Sequence, residues 1–416
     1  MQNTLYTNDN LFVLYGMNSE IADLIYLDPP FNSKRMYSAP VGTKAAGASF
    51  KDMWTWEDVN DAYLDRLVEK YPDLVSYIKA VKTIHSEAMM AYVMYMAQRL
   101  IEMHRVLKST GSLYLHCDPT ASHYLKNVLD CIFGRNNFRN EIIWAYESGG
   151  RSTKDFSRKH DVILRYSKSE SWVFNAKNVL LPREKTRHNH MKKNIDEDGR
   201  AYYSIKSAGK IYKYYTDEGV VPSDVWQIAH LNNKDPERTG YPTQKPLSLL
   251  HRIIKASSNE GDLVLDPFCG CATTCVAAQQ LQRKWIGIDV EKQAVGVLMD
   301  RLSDDGQDLF SDFINLTQPP QRTDVELASP DSKTIKERLF AEQSGNCNGC
   351  GEAFKIWNME IDHIVPKSKG GGDYVENYQL LCGSCNKIKG DRTMEYLRTK
   401  LKIRLELIER KITYGF

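Results

Sequence analysis

Apolar positions along this chain fall into two regimes separated by a polar stretch. Near the start, Leu11-Phe12-Val13-Leu14 reads as a short apolar strand and Ile21 to Leu27 as a second, ending on Asp28-Pro29-Pro30-Phe31. From Ser86 to Leu107, the residues Met89, Val93, Met96, Ala97, Leu100, Ile101 and Leu107 recur at the spacing of a helix with one buried face. Gly111 is expected to end that helix, and Leu113-Tyr114-Leu115 then reads as a buried strand. Asp118-Pro119-Thr120 looks like an N-cap with proline in the first turn, opening a helix to about Phe133. Strands are expected at Glu141–Tyr146 and Asp161–Tyr166. The alternation resumes with a helix at Leu247–Ile254, a strand at Leu263–Asp266, a helix through Leu281 and a strand at Trp285–Asp289. Strands alternating with helices imply an α/β domain with a largely parallel sheet.

Between about Glu170 and Gly240 the alternation stops. Arg183 to Tyr215 carries nine Lys or Arg against four acids, with Tyr202, Tyr203, Tyr212, Tyr214 and Tyr215 interleaved. That mixture suits phosphate contact and base stacking, although a solvated charged excursion has the same composition. Earlier, Asn32 to about Lys82 places Gly42, Ala45, Ala46, Gly47 and Ala48 ahead of Trp54 and Trp56, as a mobile loop or a plain surface insertion would. Asn315 to Lys333, with Pro319-Pro320 and Pro330, is expected to be a linker.

A chain of 416 residues has room for two or three domains. Its 42% hydrophobic and 26% charged residues are those of a soluble globular protein. With a net charge of +2, any nucleic-acid surface has to be local. Met1-Gln2-Asn3-Thr4 shows no signal peptide, and the longest apolar run, Met89 to Ala97, is too short to span a bilayer. Nine cysteines without a secretory signal point to a reducing compartment, and to metal binding ahead of disulfides.

Two short patterns carry chemistry in the α/β part. Asp28-Pro29-Pro30-Phe31 closes a strand with a carboxylate, a stiff turn and an aromatic ring. Two prolines fix φ and leave carbonyls pointing outward, so the turn can hold a planar amino group; a polyproline turn capping a strand is the plain alternative. After Asp266 comes Pro267-Phe268-Cys269-Gly270-Cys271-Ala272-Thr273-Thr274, whose small residues let a ligand approach the backbone between strand and helix. Asp289 ends the next strand 19 positions beyond Gly270 (289 − 270), the spacing of the acid that binds ribose hydroxyls in βαβ nucleotide sites. The three-glycine dinucleotide pattern is absent, so a nucleoside cofactor without pyrophosphate fits, with a tight packing turn as the alternative.

Together these residues resemble the DNA amino-methyltransferases. Asp266 to Thr274 is similar to their S-adenosylmethionine motif, and Asp28-Pro29-Pro30-Phe31 to the catalytic motif that acts on the exocyclic amine of adenine or, less often with this first residue, cytosine. Thr243-Gln244-Lys245-Pro246 resembles the segment ahead of their cofactor strand, and Asn8-Asp9-Asn10 the turn whose acid reaches the cofactor's adenine. Catalytic motif, then variable basic region, then cofactor motif is the circularly permuted order of the β class. The resemblance covers roughly residues 5 to 310. It implies a Rossmann-like α/β methyltransferase sheet, with a catalytic part at 1–170, an inserted target-recognition domain at 171–240 and a cofactor-binding part at 241–314. It makes Asp28, Pro29, Pro30 and Phe31 catalytic, the Asp28 carboxylate and Pro29 carbonyl accepting from the amine while Phe31 stacks on a flipped-out base. It has S-adenosylmethionine held by Asp9, Thr243, Lys245, Asp266, Phe268, Gly270, Ala272, Thr273, Thr274 and Asp289. Ala272 stands where many members carry glycine. A homodimer is an expectation of the class.

The C-terminal part has a signature of its own. Cys347-x2-Cys350 and Cys382-x2-Cys385 are separated by 31 residues, the pattern of a tetrahedral four-cysteine zinc site. Between them lie Glu360-Ile361-Asp362-His363-Ile364-Val365-Pro366, Gly370-Gly371-Gly372 and Asn377, with Asn386 and Lys387 after the last cysteine. Over about residues 335 to 395 this resembles the zinc-stapled HNH nucleases, which have a small ββα-metal fold. The resemblance makes His363 the general base, Asp362 and Asn386 the ligands of Mg²⁺ or Mn²⁺, and Asn377 the brace of the loop. Lys387 to Lys411 carries nine Lys or Arg against four acids, with Leu397, Leu401, Leu405 and Ile408 at helical spacing. A basic helix on DNA and the solvated face of a packing helix both read this way.

The expected protein is cytoplasmic, bacterial or phage-encoded and nucleoid-associated, acts on double-stranded DNA and has no membrane segment. An adenine-N6 methyltransferase at 1–314 would be joined through a linker at 315–333 to an HNH endonuclease domain at 334–416, with restriction and modification on one chain. Two alternatives stay open. One is a solitary adenine-N6 or cytosine-N4 methyltransferase whose zinc module only binds DNA; the other is an enzyme that methylates protein or RNA amides.

Overall fold

The computed structural model describes residues 3–31, 35–40, 42–46, 48–52, 67–68, 70–146, 152–182, 191–232, 234–304, 313–325 and 327–402. β1 (Asn3–Thr7) leads into the short helix α1 (Asn10–Gly16), followed by β2 (Ala22–Leu27). The apolar run Leu11–Leu14 is therefore helical and not a strand. Asp9 supplies the start signal, its carboxylate accepting from the Leu11 N–H at 2.8 Å. The segment expected to be a loop instead holds a hairpin, β3 (Arg35–Ser38) and β4 (Ser49–Asp52), and the helix α2 (Pro72–Ile84). Trp54 and Trp56 lie outside the described residues.

Helix α3 (Glu87–Val106) buries Met89, Val93, Met96, Ala97 and Leu100, as their spacing predicts. It runs directly into β5 (Leu107–Cys117), so Gly111 lies inside a strand and does not end the helix. Pairing of β5 with β2 slips between Leu107 and Ser112, and a Cβ on Gly111 would meet the Leu107 side chain at 2.6 Å. Glycine is what lets this irregularity close. Asp118 does not cap α4 (Ser122–Phe133) directly; it accepts from the Thr120 and Ala121 N–H groups and closes the turn ahead of it.

β6 (Phe138–Ala145) and β7 (His160–Ser167) come next. Within the basic, tyrosine-rich stretch, β8 (Lys192–Ile195), β9 (Ala201–Ser207) and β10 (Lys210–Tyr215) form a separate antiparallel sheet. Arg183, Lys185 and Arg187 lie outside the described residues. β11 (Val225–Gln227) returns to pair with β6. α5 (Leu247–Ser257), β12 (Leu263–Asp266), α6 (Thr273–Gln280), β13 (Lys284–Asp289), α7 (Gln293–Asp304) and β14 (Phe313–Leu316) complete the α/β unit.

The main sheet has the order β11-β6-β7-β5-β2-β12-β13-β1-β14. β14, β1, β13, β12, β2 and β5 run parallel, and β7 is antiparallel to both neighbours. One face buries Val93, Leu100 and Leu125, the other Leu250, Ile253 and Val276, so helices cover both sides as a parallel sheet requires. This is the expected Rossmann-like α/β architecture. β2 and β12 are neighbours, with Leu24 opposite Val264 and Ile25 opposite Leu265. Asp28 and Asp266 therefore leave adjacent parallel strands at the same end, where open α/β sheets bind ligands.

The expected linker is only partly one. Asn315 and Leu316 belong to β14, the Asn8 amide donates to Thr317 O, and Asn18 and Ser19 bind Thr323 and Asp324. Beyond it, α8 (Lys333–Glu342), the hairpin β15 (Met359–His363) and β16 (Tyr378–Cys382), and α9 (Gly383–Lys389) form a small ββα unit. Its core includes Leu339, Met359, Leu380, Leu381 and Leu397. Residues 394–402 are helical, and the rest of the basic stretch lies outside the described residues. The unit rests on α1: Lys369 Nζ is 4.5 Å from the Phe12 ring, and a Cβ on Gly370 (φ +84°) would lie 2.2 Å from Phe12 O. Among the described residues no helix is long and apolar enough to cross a membrane.

Candidate active sites

The parallel strand ends open on a cavity of about 490 Å³. Its walls bring together Asp9, Asp28, Pro29, Pro30, Phe31, Thr243, Lys245, Asp266, Phe268, Gly270, Thr273, Thr274 and Asp289. Ala272 sits behind the wall, fully buried.

At the β2 end, Lys245 Nζ donates to Asp28 Oδ2 at 2.5 Å, and the lysine side chain is only 6% exposed. The resemblance groups Lys245 with the cofactor contacts; the structure sets it on the Asp28 carboxylate. Among the described residues Asp28 Oδ1 is buried without a hydrogen-bond partner. The Phe31 ring stacks on His116, with centroids 6.0 Å apart. His116, fully buried, joins the Tyr26 hydroxyl at 2.9 Å to Asp161 at 3.0 Å, and the Tyr146 hydroxyl also donates to Asp161. Burial pushes the Asp161 carboxyl up, but its hydrogen bond and attraction to His116 outweigh that and hold it below its usual value.

At the β12 and β13 ends the charge balance differs. Burial, with smaller contributions from Asp28 and Asp289, pushes the Asp266 carboxyl up to about 7. Asp289 is pushed up by burial to about 6, although the Gly270 and Glu291 N–H groups each donate to it at 2.8 Å. Across the cavity Asp9 pairs with Arg99 at 3.0 Å, and Arg99 also donates to Asn10, whose amide donates to Pro267 O. The buried Asp266 and the half-buried Asp289, both pushed toward protonation, form a pocket that a cationic ligand would relieve.

The loop itself is strained in one place. Gly270 has φ +50°, and a Cβ there would be 2.9 Å from the Tyr241 ring. Ala272 has φ +57° and ψ +32°, a left-handed conformation that costs a non-glycine residue about 1–2 kcal/mol. A glycine, which the resemblance has at this position, would carry no such cost. Arg301, buried, holds the strained turn by donating to Cys271 O at 2.9 Å and Thr273 Oγ1 at 2.8 Å.

Sequence reasoning missed Arg99, His116, Asp161 and Arg301. Two of them left a faint signal. Arg99 interrupts an apolar helical pattern, and His116 is a polar residue at the C-terminal end of a buried strand beside β2.

In the C-terminal unit the sulfur atoms of Cys347, Cys350, Cys382 and Cys385 all lie within 4.8 Å of one another. Tetrahedral zinc with bonds near 2.3 Å would need separations of about 3.8 Å, so the cluster fits that ion after a small contraction. Burial pushes the Cys347 thiol up, yet N–H groups led by that of Cys382 outweigh it and lower its pKa. Zinc here would tie the N-terminus of α9 to the loop that carries Cys347 and Cys350.

The HNH residues divide between two sides of β15. His363 Nε2 lies 2.8 Å from Asp373 Oδ1, and Asp373 also accepts from Tyr378 and Lys367. The ammonium of Lys367, with weaker help from His363, holds the Asp373 carboxyl down to about 2. Asn377, buried, ties the loop by accepting from Val365 N and donating to Val365 O and Gly372 O. Asp362 turns the other way, toward α9, where Lys389 Nζ is 3.1 Å from Oδ1 and 3.0 Å from Oδ2. Gln379 Nε2 donates to Asp362 Oδ2 at 2.8 Å, and the Asn386 amide donates to Glu360 and not toward Asp362. As placed, Asp362 and Asn386 do not form the donor pair that a divalent ion would take.

Residues 22–300 match the family described as DNA methylase, and residues 347–392 match the HNH endonuclease family. Type II methyltransferase M.HpaI of Haemophilus parainfluenzae is 30% identical over 240 residues, which are 58% of this chain and 67% of the relative. Type II methyltransferase M.EcaI of Enterobacter cloacae is 29% identical over 377 residues, 79% of this chain and 75% of the relative. DNA adenine methyltransferase YhdJ of Escherichia coli (strain K12) is 27% identical over 301 residues, 72% of this chain and 82% of the relative. With the two strand-end acids in one cavity and a four-cysteine cluster beside the HNH hairpin, the chain belongs to the DNA methylase family and carries a C-terminal HNH endonuclease domain.

Proposed function

We propose that this chain transfers a methyl group from S-adenosylmethionine to N6 of adenine in double-stranded DNA. The observation that carries the reading is Asp28, which lines the cavity with one oxygen held by Lys245 and the other buried and unpaired among the described residues. An unsatisfied buried acceptor costs about 1–3 kcal/mol, which a bound donor recovers. An exocyclic amine offers two N–H groups, one for Asp28 Oδ1 and one for the Pro29 carbonyl. Accepting both keeps the nitrogen lone pair out of the ring and aims it across the cavity. Phe31, backed by His116, stacks on the extruded base.

S-adenosylmethionine, when bound, supplies an electrophilic methyl group on a sulfonium. Asp9, Asp266 and Asp289, with Thr243, Phe268, Gly270, Thr273 and Thr274, are the residues placed to hold it. Asp266, when ionised, would counter its positive charge, while Asp289 would take the ribose hydroxyls and Asp9 the adenine. Lys245 belongs with Asp28, whose Oδ2 it holds. Adenine is supported by the acid-first catalytic motif and by the similarity to a DNA adenine methyltransferase. The sheet β8–β10 is the proposed target-recognition surface: its pairing puts Lys192, Tyr202, Ser204, Lys206, Lys213 and Tyr215 on one face.

The HNH domain is proposed to cut the same DNA. With Nε2–H donated to Asp373, His363 keeps Nδ1 to accept a proton from water. The engagement of Asp362 by Lys389 favours a second reading, in which the zinc-stapled domain only grips DNA.

Two experiments test the proposal. Asp28→Ala should abolish transfer of tritiated methyl to DNA while cofactor binding persists; retained transfer overturns the site assignment. Unmethylated and pre-methylated DNA incubated with the protein and Mg²⁺ should differ, the first cut and the second spared. Equal cutting of both, or of neither, counts against restriction and modification on one chain.

A further inference from the structure

The last turn of α9 brings a lysine to the carboxylate that a nuclease of this kind would use for a divalent ion. Lys389 is 1% exposed, and its ammonium has three acceptors: both Asp362 oxygens at 3.1 and 3.0 Å and His363 O at 2.7 Å. Those three match the three N–H donors of an ammonium, so the buried charge is fully satisfied. Gln379 takes a further lone pair of Asp362 Oδ2, and Asn386 is turned to Glu360. Lys389 is one helical turn beyond Cys385, so the four-cysteine cluster at the start of α9 and the ammonium lie on the same short helix.

A buried carboxylate with a hydrogen-bonded monovalent partner gives it up only to something that replaces both charge and contacts. We propose that Lys389 is a resident cation at Asp362, and that this carboxylate takes a divalent ion only when the ammonium leaves. Metal binding in the HNH domain is then conditional on a movement of the end of α9. The methyl-transfer site, on the other unit, is untouched by it. The inference rests on the HNH reading of the hairpin. A failure of that reading shows as DNA left uncut by every form of the protein, whereas this inference stands or falls on ion binding alone.

The test titrates Mn²⁺ into the full-length, zinc-loaded protein and follows free ion by electron paramagnetic resonance. Wild type and Asp362→Asn are expected to bind Mn²⁺ alike, because Asp362 is already occupied. Lys389→Met is expected to gain a site at least about tenfold tighter, lost again when Asp362→Asn is added. A wild-type site that Asp362→Asn removes overturns the proposal, as does Lys389→Met binding no more tightly than wild type. Zinc content reports whether each variant has kept its fold. If Lys389→Met loses zinc, the comparison of wild type with Asp362→Asn still decides.

Discussion

Acidifying the cofactor pocket should loosen a cationic ligand steeply, and Asp266 sets most of the slope. Its carboxyl is pushed up to about 7 in the folded chain, and that of Asp289 to about 6, against about 3.9 for an unfolded aspartate. The free protein therefore binds more protons than the unfolded chain over that range. Stability that these groups contribute below about pH 4 is lost as pH rises through 6 and 7. Ligand binding runs the opposite way, because a sulfonium favours the ionised forms. For a single group at 7, the ligand-competent fraction rises between pH 5 and pH 8 by (1 + 10²)/(1 + 10⁻¹), about ninetyfold or roughly 2.7 kcal/mol. Asp289 alone, at about 6, supplies roughly tenfold over the same interval. Calorimetric titration of S-adenosylmethionine into wild type and Asp266→Asn from pH 5 to pH 8 measures both. The mutation should lower affinity at pH 8 and cut the pH dependence to no more than about tenfold. A variant with the full wild-type slope would refute the assignment of the titrating group to Asp266.

Lys245→Met should lower kcat for methyl transfer by about a hundred- to a thousandfold with a smaller change in cofactor Kd, since the lysine orients Asp28; stopped-flow single turnover separates the two. Arg301→Met should weaken cofactor binding by about tenfold and leave the chemical step nearly intact, because Arg301 holds the loop and not the base. Gly370→Val forces a side chain into Phe12 O at positive φ, costing roughly 2–5 kcal/mol, so the HNH domain should undock and trypsin should cut residues 317–332 faster. Strong chelation of zinc should abolish the melting transition of the C-terminal unit, whose core is small, and spare that of the α/β unit.

How much could be read in advance depended on how local the cause was. The helix at Glu87–Val106 follows from periodicity alone, and the cysteine cluster from spacing. Leu11–Leu14 shows the limit: four apolar residues suit a strand or a helix equally, and the deciding cap, Asp9 on Leu11 N, acts from outside the run. Gly111 punctuates the pattern like a helix end, yet its purpose is a pairing slip between β2 and β5 that only the tertiary partner reveals. The cavity was legible as two motifs, but not the contacts that cross between them. Lys245 lies 217 positions from Asp28, and no sequence pattern distinguishes a lysine bound for a cofactor from one bound for this strand-end acid. Lys389 and Asp362 pose the same problem in the C-terminal unit, where adjacency on α9 and β15 outweighs the residue types.

Asp28 is proposed to hold an adenine amine for methylation. Single-molecule sequencing of DNA from cells expressing wild type and Asp28→Ala tests it most directly. N6-methyladenine is expected at one recurring sequence in the wild-type sample and nowhere in the Asp28→Ala sample. Methylation of cytosine N4, or methyladenine that survives Asp28→Ala, would contradict it.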